Sequence, residues 1–324
     1  MKDRRLRIAA GAVAAAVVLG CASLAAAQPL EKVRVGMPSF SLSFVAPKVA
    51  QARGFFQAEG LEVELIQMAT NITVVALTTK DLDYSTASGA ILRSAVRGLP
   101  VKVVMYFNGR PLHVLMTKRE VRGIEDLRGK TVGFAGYGDT TEFMLRAMLR
   151  SANMELEKDV KALGVSGSGP RLAALLAGKV EAAILPPPYN FEAETKGFKP
   201  LIAAADVLES GTSGIGVLVD KLKENPGQVR RMIRALLRTQ SFMRQNKNDS
   251  VKIISGWLKL EPAVASASYD LYIRGLALDG LVGEKMLQFD IERAKEALNI
   301  KENVPLSRVV DFGILNEALK ESRK

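Results

Sequence analysis

Apolar and polar positions along the first two thirds of the chain alternate between the period of strands and the period of helices. Four segments in the first half predict strands: 33–36, 62–67, a short strand that follows 81–84 and ends at 85–86, and 101–107. The segments between these runs have helical spacing and short polar loops. The same order of strands and helices returns over residues 130–219. Such alternation predicts an α/β fold with a mostly parallel sheet in each half and helices on both faces.

The last third of the chain has a different pattern, because almost every segment after Val219 has helical spacing. Proline stands at the predicted first turn of three of these helices, a position that it suits. The predicted helices are 226–246, 249–258, 262–276, 284–298 and 305–320. Since these segments cannot form a sheet of their own, we expect them to pack on the two sheets built earlier. The whole pattern predicts a bilobal protein with a cleft between the lobes.

The stretch from Thr131 to Leu149 predicts a strand, a glycine turn and a helix N-terminus in succession. Gly136 and Gly138 end the strand, and Asp139 is a favoured N-cap residue before an apolar pattern with helical spacing. A helix N-terminus presents unpaired N–H groups and the positive end of the helix dipole. Ligands of open α/β sheets bind at that edge, although an ordinary turn without a ligand has the same pattern.

The first residues carry a pattern typical of a secretory signal peptide, predicted over residues 1–27. Four basic side chains precede an apolar run at 8–19, and three alanines before Gln28 fit a cleavage site. Val18-Leu19-Gly20-Cys21 resembles a bacterial lipobox, so two alternatives follow. Cleavage after Ala27 discards Cys21, whereas lipidation makes Cys21 the first residue of an anchored protein. Because Cys21 is the one cysteine of the sequence, no internal disulfide is expected.

Charge and composition narrow the class of partner. The 324 residues carry a formal net charge of +11, and about +8 remains without residues 1–27. A surface that binds nucleic acid needs clustered basic residues and aromatic side chains on which bases stack. Here lysine and arginine are scattered along the sequence, and aromatic residues make up only 6% of the chain. We expect a solvated basic surface, a periplasmic location and no nucleic-acid partner.

The sequence offers little for catalysis. His113 is the one histidine, stands on a predicted apolar strand, and has no second histidine or cysteine nearby with which to share a metal. We predict a structural role for it, and no metal or cofactor. No Gly-x-Ser-x-Gly elbow or Walker loop is present. Gly136 and Gly138 lack the third glycine of a dinucleotide-binding turn.

Neutral hydrogen-bonding residues stand instead at the predicted strand ends of both halves. Each of them singly has the pattern of a cap or turn residue, but together they fall at corresponding edges of two sheets. Asp139 is the one acid among them, and two roles are open for it. Its side chain either caps the N-terminus of a helix or accepts a hydrogen bond from an amine or hydroxyl of a ligand. A site with few polar contacts and several helix N-termini suits a small polar or anionic solute. The set comprises Ser39, Ser41, Thr70, Asn71, Thr86, Ser88, Asn108, Tyr137–Thr141, Ser168 and Tyr189.

Several motifs resemble ABC transporter solute-binding proteins of the nitrate, sulfonate and taurine type, within the thiamine-pyrimidine-synthase-like family. The resemblance follows the order and spacing of the motifs over nearly the whole chain after the signal segment. The motifs are Gly54–Leu61 (GFFQAEGL), Asp126–Gly133 (DLRGKTVG), Arg171–Ile184 (RLAALLAGKVEAAI), Pro187-Pro188-Tyr189 and Asn225–Arg231 (NPGQVRR).

The resemblance implies a periplasmic binding protein type II fold, with two α/β lobes joined by a two-strand hinge. Lobe 1 is expected at 28–113 plus 221–324 and lobe 2 at 114–220, with hinge crossings near 108–114 and 213–219. Closure of the cleft by hinge motion would bury the solute. The implied partners are a membrane permease and its ATPase, and the expected state is a monomer.

The expected ligand site combines the strand-end residues with the implied cleft. An acid at the cleft, Asp139, disfavours simple sulfonate or nitrate and leaves open an amine, a heterocycle or a zwitterion. Phe40 adds an aromatic ring for a planar part of a ligand. Two other roles stay open: a periplasmic sensor domain, and an enzyme like thiamine-pyrimidine synthase. The predicted ligand-binding residues are Ser39, Phe40, Ser41, Thr70, Ser88, Asn108, Tyr137, Asp139, Thr140, Thr141 and Tyr189.

Overall fold

The computed structural model of the protein describes residues 29–208, 210–211 and 213–322. The predicted signal peptide and Cys21 lie outside the described residues. The described part of the chain forms ten strands. They are β1 (Glu31–Met37), β2 (Leu61–Gln67), β3 (Tyr84–Ser85), β4 (Val101–Tyr106), β5 (Val114–Thr117), β6 (Thr131–Phe134), β7 (Lys161–Gly164), β8 (Ala182–Leu185), β9 (Lys199–Ala203) and β10 (Gly214–Leu218).

The strands make two five-stranded sheets with equivalent topologies. The first sheet has the order β2-β1-β3-β10-β4 and the second the order β7-β6-β8-β5-β9. In each sheet the first three strands are parallel, and the fourth is antiparallel to both of its neighbours. The mostly parallel sheets and the repeated order read from the sequence are therefore confirmed.

The chain crosses between the two sheets twice. It leaves the first sheet after Tyr106, enters the second at Val114, and leaves that sheet after Ala203. It returns at Gly214, because β10 hydrogen-bonds to β3 and β4. The predicted lobe 2, residues 114–220, thus includes a strand that belongs to the first sheet, and the second crossover precedes Gly214. Long-range pairing, which the local pattern does not show, determines this assignment.

Helices cover both sheets. The described helices are Val45–Ala52, Phe55–Ala58, Thr70–Thr78, Ser88–Val96, Thr140–Arg150, Ser168–Leu176, Tyr189–Thr195, Ala204–Val207, Val219–Glu224, Pro226–Gln245, Lys247–Leu258, Pro262–Arg274, Glu284–Leu298, Leu306–Val309 and Gly313–Ser322, with 3₁₀ turns at Leu42–Phe44 and Ile124–Leu127. The helix predicted over 305–320 is divided. Val310 is extended and bridges Val103, and the N–H of Asp311 donates to the Val103 carbonyl, so the chain adds a short edge pairing there.

Each sheet has its own apolar core. The first is built on β1 and β10, and Met232 and Leu236 of helix Pro226–Gln245 pack onto it. The second joins Val132 and Phe134 of β6 to Met148 of helix Thr140–Arg150. The C-terminal helices therefore pack on a sheet built earlier, as expected. No helix in the described part is both long enough and apolar enough to cross a membrane.

Candidate functional site

A small, partly open cavity lies between the two sheets, where loops from both meet. Its volume is about 60 Å³, room for a few water molecules. Residues around the first sheet and residues around the second line opposite walls, and His113 lies beside the first crossover. The polar lining residues are Ser39, Ser43, Thr70, Asn71, His113, Tyr137, Asp139, Thr140, Thr141, Ser166, Ser168 and Arg171.

Four helices begin at this cavity, two beside each sheet. They are Thr70–Thr78, Ser88–Val96, Thr140–Arg150 and Ser168–Leu176, and each contributes its N-cap or first-turn residues to the lining. Three of them have no side-chain cap. Helix N-termini carry partial positive charge and unpaired N–H groups, so the cavity favours acceptors and electron-rich groups.

Asp139 organises the wall that belongs to the second sheet. Gly136 and Gly138, with φ of 143° and 78°, allow the turn after β6. The Asp139 carboxylate then accepts from the backbone N–H and the Oγ1 of Thr141, both at 2.7 Å. It also accepts from Thr70 Oγ1 across the cleft. The predicted N-cap role is therefore present, and the same carboxylate joins the two walls.

Further hydrogen bonds cross the cleft. Arg93 Nη2 donates to the Gly138 carbonyl at 3.3 Å and to Thr140 Oγ1 at 3.2 Å. The Tyr189 hydroxyl donates to the Phe40 carbonyl at 2.9 Å. Leu42 N–H donates to the Pro187 carbonyl at 3.0 Å, and Ser168 Oγ donates to Ser39 Oγ at 3.3 Å. These hydrogen bonds hold the two walls of the cleft together around the cavity.

Arg171 is a buried cation at the cavity, only 2% exposed. Its guanidinium donates to the carbonyls of Ile184 at 2.7 Å, Val165 at 3.0 Å and Gly167 at 3.4 Å. Burial lowers its pKa from 12.5 to about 10, so it stays charged at neutral pH. Its N–H groups tie the loop at 165–168 to β8 and give the site positive charge.

His113 lies at the inner end of the cavity, directly before β5. Its side chain is 7% exposed, and its carbonyl accepts from Ala204 N–H at 2.8 Å. Burial, with the charge of Arg171, lowers the pKa of its imidazole from 6.5 to about 3. The ring is therefore neutral under physiological conditions. The sequence predicted a structural strand residue, whereas the structure places its side chain in the cavity wall.

The structure brings six of the eleven predicted ligand-binding residues to the cavity: Ser39, Thr70, Tyr137, Asp139, Thr140 and Thr141. Two of them, Tyr137 and Thr141, have surroundings that differ from those expected of a ligand contact. Tyr137 is 58% exposed, and its ring packs edge-on against Phe134 at 5.1 Å. Thr141 Oγ1 is already used, because it donates to Asp139 and accepts from Ala135 N–H.

The other five predicted residues do not line the cavity. Ser41 is fully buried behind Ser39, whose Oγ donates to Ser41 Oγ at 3.1 Å. Ser88 Oγ donates to the Gly211 carbonyl at 3.4 Å and thus fixes the second crossover. Asn108 is buried at the first crossover, where its backbone bridges Leu276.

Phe40 and Tyr189 also differ from the expectation. The Phe40 ring packs edge-on against Trp257, with ring centroids 5.8 Å apart, and Phe40 is not among the residues that line the cavity. Tyr189 contacts the opposite wall through its hydroxyl instead of the cavity itself. Six polar lining residues were not among the predicted ligand contacts: Ser43, Asn71, His113, Ser166, Ser168 and Arg171. Of these, Asn71 and Ser168 belonged to the predicted set of strand-end residues. Arg171 is the first residue of the motif Arg171–Ile184, and that motif was the feature of the sequence from which it could have been predicted.

No group of three histidine, cysteine, aspartate or glutamate side chains in the described chain is arranged to hold a metal ion. The polar side chains of the cavity carry hydroxyls, one amide, one carboxylate, one guanidinium and one neutral imidazole. Such a set can hydrogen-bond a small polar molecule from two sides and enclose it.

Two equivalent sheets, two crossovers and a cavity between them define the periplasmic binding protein fold. A sequence model of the NMT1/THI5-like family matches residues 43–250, and the chain belongs to that family. The chain is similar to a riboflavin-binding protein, RibY, of Chloroflexus aurantiacus, with 31% identity over 224 residues. This alignment covers 65% of the chain and 62% of RibY, so the chain spans less than two thirds of that relative.

Solved structures share the fold. A protein of Bordetella bronchiseptica RB50 superposes with a TM-score of 0.78 at 18% identity, over 90% of this chain and 98% of that one. The alkanesulfonate-binding protein SsuA of Xanthomonas axonopodis pv. citri, bound to MOPS, superposes with a TM-score of 0.71 at 16% identity. That superposition covers 89% of this chain and 97% of SsuA.

Proposed function

We propose that the protein is an exported solute-binding component of an ABC importer, which encloses a small polar organic solute and delivers it to a membrane permease. The observation that carries the proposal is the cavity itself. It is polar, it lies between two sheets, and hydrogen bonds from both sides close it. A site of this kind fits reversible capture by cleft closure.

The proposed lobes follow the sheets. Lobe 1 comprises residues 29–106 and 214–322, and lobe 2 comprises residues 114–203. The hinge is the pair of crossovers at 107–113 and 204–213. In the proposed cycle the hinge opens the cleft, the solute binds between the walls, and the closed form docks on the permease with its ATPase. We propose a periplasmic monomer, with no catalysis of its own.

The charges of the cavity support a polar organic solute. Arg171 supplies a positive charge and Asp139 a negative one, and four helix N-termini add donors. The names of the relatives support the same range, because RibY is described as riboflavin-binding and SsuA as alkanesulfonate-binding. The solute is proposed to come from the sulfonate, nitrate, aromatic acid or amino-pyrimidine and heterocycle classes.

A thermal-shift screen, followed by titration calorimetry, tests this proposal. The purified exported chain is screened against riboflavin, cytosine, taurine, nitrate and benzoate. Because a ligand of the folded state raises Tm by mass action, one chemical class should raise Tm and release or absorb heat with one-to-one stoichiometry. A folded chain that shows neither effect with any class contradicts the proposal.

A variant pair connects the binding to the cavity. Thr140→Ala removes a hydroxyl that lines the cavity, and Thr79→Ala removes an exposed hydroxyl of another helix end. We expect Thr140→Ala to lower the affinity for the solute identified by the screen about 3-fold to 10-fold, which is the usual contribution of one hydrogen bond. Thr79→Ala should leave the affinity unchanged. If the two variants bind the solute with equal affinity, the solute does not bind in this cavity.

A further inference from the structure

The second crossover between the sheets packs on a buried carboxyl group. Asp290 belongs to helix Glu284–Leu298 and is 6% exposed. Its Oδ2 accepts from Ser210 Oγ at 2.9 Å, and Ser210, itself buried, lies between β9 and β10. A Cβ at the neighbouring Gly211 would lie 2.5 Å from Cδ1 of Tyr106, so the crossover backbone lies directly on that ring. The crossover therefore contacts both Asp290 and Tyr106.

As a carboxylate, Asp290 would be incompletely satisfied at this place. Its other oxygen, Oδ1, has no hydrogen-bond partner among the described residues, and the Tyr106 hydroxyl has none there either. An ionised carboxylate with an unpaired buried oxygen is costly, whereas a protonated carboxyl group carries no net charge. The packing therefore favours the protonated form while the crossover stays in place. In agreement with this, burial raises the pKa of Asp290 from 3.8 to about 7.

The charged and titratable groups that face Asp290 come from the elements packed on its helix. Arg93 of helix Ser88–Val96 is a cation that faces it. Tyr106 of β4 is an acid only in principle, because burial raises the pKa of its hydroxyl well above 10. In the described part of the crossover, the group that reaches the carboxyl is the Ser210 hydroxyl, which does not titrate. Arg93 is therefore the charge that responds when Asp290 ionises.

Arg93 connects this carboxyl group to the opposite wall of the cleft. Its Nη2 donates to the Gly138 carbonyl at 3.3 Å, beyond the cleft. Asp139 and Glu142, also beyond the cleft, attract its positive charge, as does Asp290 from its own side. While Asp290 is neutral, the acids that attract Arg93 belong to lobe 2. Ionisation of Asp290 adds a competing attraction from lobe 1 and weakens the hold of Arg93 on lobe 2.

We propose that Asp290 is a proton-dependent switch of the hinge, whose protonated form holds the second crossover in the closed arrangement and whose ionisation favours the open cleft. This inference rests on the hinge of the proposed function and adds a regulation to it. Hinge opening changes the backbone of the crossover, so Ser210 and Gly211 move away from Asp290 and Tyr106. Water then reaches the carboxyl group and stabilises its charged form.

Linkage determines the direction of the pH effect. A solvated aspartate has a pKa of about 4, whereas that of Asp290 with the crossover in place is about 7. The closed state therefore binds the proton more tightly, and a rise from about pH 5 to about pH 8 shifts the equilibrium towards the open state. A full return to the ordinary pKa on opening would change the ratio of open to closed chains on the order of 100-fold. His113, beside the first crossover, stays neutral in this range because its pKa is about 3.

Two measurements across this pH range, at constant ionic strength, test the switch. Small-angle X-ray scattering of the solute-free chain gives the radius of gyration. Titration calorimetry gives the affinity for whichever of riboflavin, cytosine, taurine, nitrate and benzoate binds the wild type. A chain that is mainly closed without solute shows the switch in its radius, and a chain that is mainly open shows it in its affinity.

Three variants accompany the wild type. Asp290→Asn keeps the shape of the side chain but does not ionise. Ser210→Ala removes the hydrogen bond that lowers the pKa of Asp290. Glu292→Gln is the matched control, because it neutralises an exposed carboxylate of the same helix that pairs with Lys295. Circular dichroism at both ends of the pH range establishes that each variant is folded.

We expect the wild type to have a larger radius at about pH 8 than at about pH 5, or to lose affinity by at least about 10-fold over that range. Asp290→Asn should keep its low-pH radius and affinity throughout. Ser210→Ala should move the midpoint of the transition to higher pH, which keeps the test decisive if Asp290→Asn does not fold. Glu292→Gln should follow the wild type.

The contrary outcomes separate this inference from the proposed function. If Asp290→Asn responds to pH as the wild type does, or if the wild type shows no pH dependence in either measurement, Asp290 is not the switch and the solute-binding function stands. If the folded wild type binds none of the five probes, the proposed function is contradicted. The scattering curves of the wild type and Asp290→Asn then still decide whether Asp290 controls the hinge.

Discussion

At the scale of single residues, the cavity is held together by one acid whose sequence role was predictable. Asp139 is an N-cap by type and position, and it accepts from Thr141 N–H in the structure. What the sequence did not show is that the other oxygen of the same carboxylate accepts from Thr70 on the opposite wall. Local capping is encoded within a few residues, whereas the cross-cleft bond joins positions 69 residues apart and depends on the tertiary fold.

Asp139→Ala should therefore affect both stability and closure. We expect the free energy of unfolding to fall by about 1 to 2 kcal/mol, the usual cost of losing an N-cap. Asp139→Asn keeps a capping oxygen and should lose less than half of that amount. Urea unfolding measured by circular dichroism at pH 7 checks both values. Equal destabilisation by Ala and Asn would show that the charge, and not the cap, matters.

A second acid, Asp290, gives the protein a pH-dependent stability. Its carboxyl is buried, accepts from Ser210 Oγ at 2.9 Å, and faces Arg93 and Tyr106. Burial raises its pKa from 3.8 to about 7. Between these two values the folded chain holds a proton that the unfolded chain has lost. The Asp290 contribution to the free energy of unfolding therefore decreases as pH rises from about 4 to about 7.

Asp290→Asn removes this contribution. We expect the variant to match the wild type at pH 4 and to exceed it in stability by pH 8, by an amount on the order of 4 kcal/mol. His113 has the opposite effect, since its lowered pKa makes stability rise with pH between about 3 and 6.5. In Asp290→Asn the free energy of unfolding should therefore rise with pH because of His113, whereas in the wild type the Asp290 contribution offsets that rise. Urea unfolding across pH 4–8 measures it, and parallel curves for the two proteins would refute the assignment.

At the scale of elements, the sequence predicted most strands and helices, and its errors share one cause. The helix predicted over 305–320 is broken where Val310 pairs with Val103. β10 was assigned to lobe 2, although its partners are β3 and β4. Hydrophobic period shows which segments are strands, but it does not show which distant strand they join. For the same reason Ser43 and His113 were not predicted in the cavity lining. The sequence pattern around a polar residue in an apolar segment is the same whether the residue lies in a core or beside a cavity.

The position of β10 depends on a glycine. A Cβ at Gly214 would lie 2.2 Å from the Met105 carbonyl oxygen of β4 and 2.9 Å from Tyr106 Cα. Because both atoms belong to the backbone, Gly214→Ala must displace β10 from its neighbour. We expect a loss of about 1 to 3 kcal/mol in the free energy of unfolding, the usual cost of overpacking. Gly227→Ala, with no atom within 4 Å of the added carbon, should not destabilise the chain in the same urea titration.

At the scale of the whole molecule, the two sheets repeat one topology, and the repeated pattern of the sequence already indicated it. The orders β2-β1-β3-β10-β4 and β7-β6-β8-β5-β9 correspond strand by strand. The sequence could not show how closely the two halves approach. That distance is determined by side chains from remote segments, such as Arg93 on Thr140 and Tyr189 on Phe40. These contacts hold the two walls together around the cavity.

The close approach of Gly89 to Thr140 predicts a variant that holds the cleft open. A Cβ at Gly89 would lie 2.9 Å from Oγ1 and 3.4 Å from Cγ2 of Thr140 on the opposite wall. Gly89→Ala should therefore separate the walls without damage to either core. We expect a larger radius of gyration by small-angle X-ray scattering and an unchanged Tm. The affinity for the solute should fall about 10-fold, because the binding-competent closed state is less populated.

Gly256→Ala is the matched control, since it also adds a methyl group to a helix but meets no atom within 4 Å. It should leave the scattering curve and the affinity as they are in the wild type. If Gly89→Ala keeps the wild-type radius and affinity, Thr140 moves aside and the closure contacts are weaker than the geometry indicates. If it loses affinity with an unchanged radius, the methyl group acts on the solute directly and the cleft still closes. Only the combined change identifies closure as the step that retains the solute.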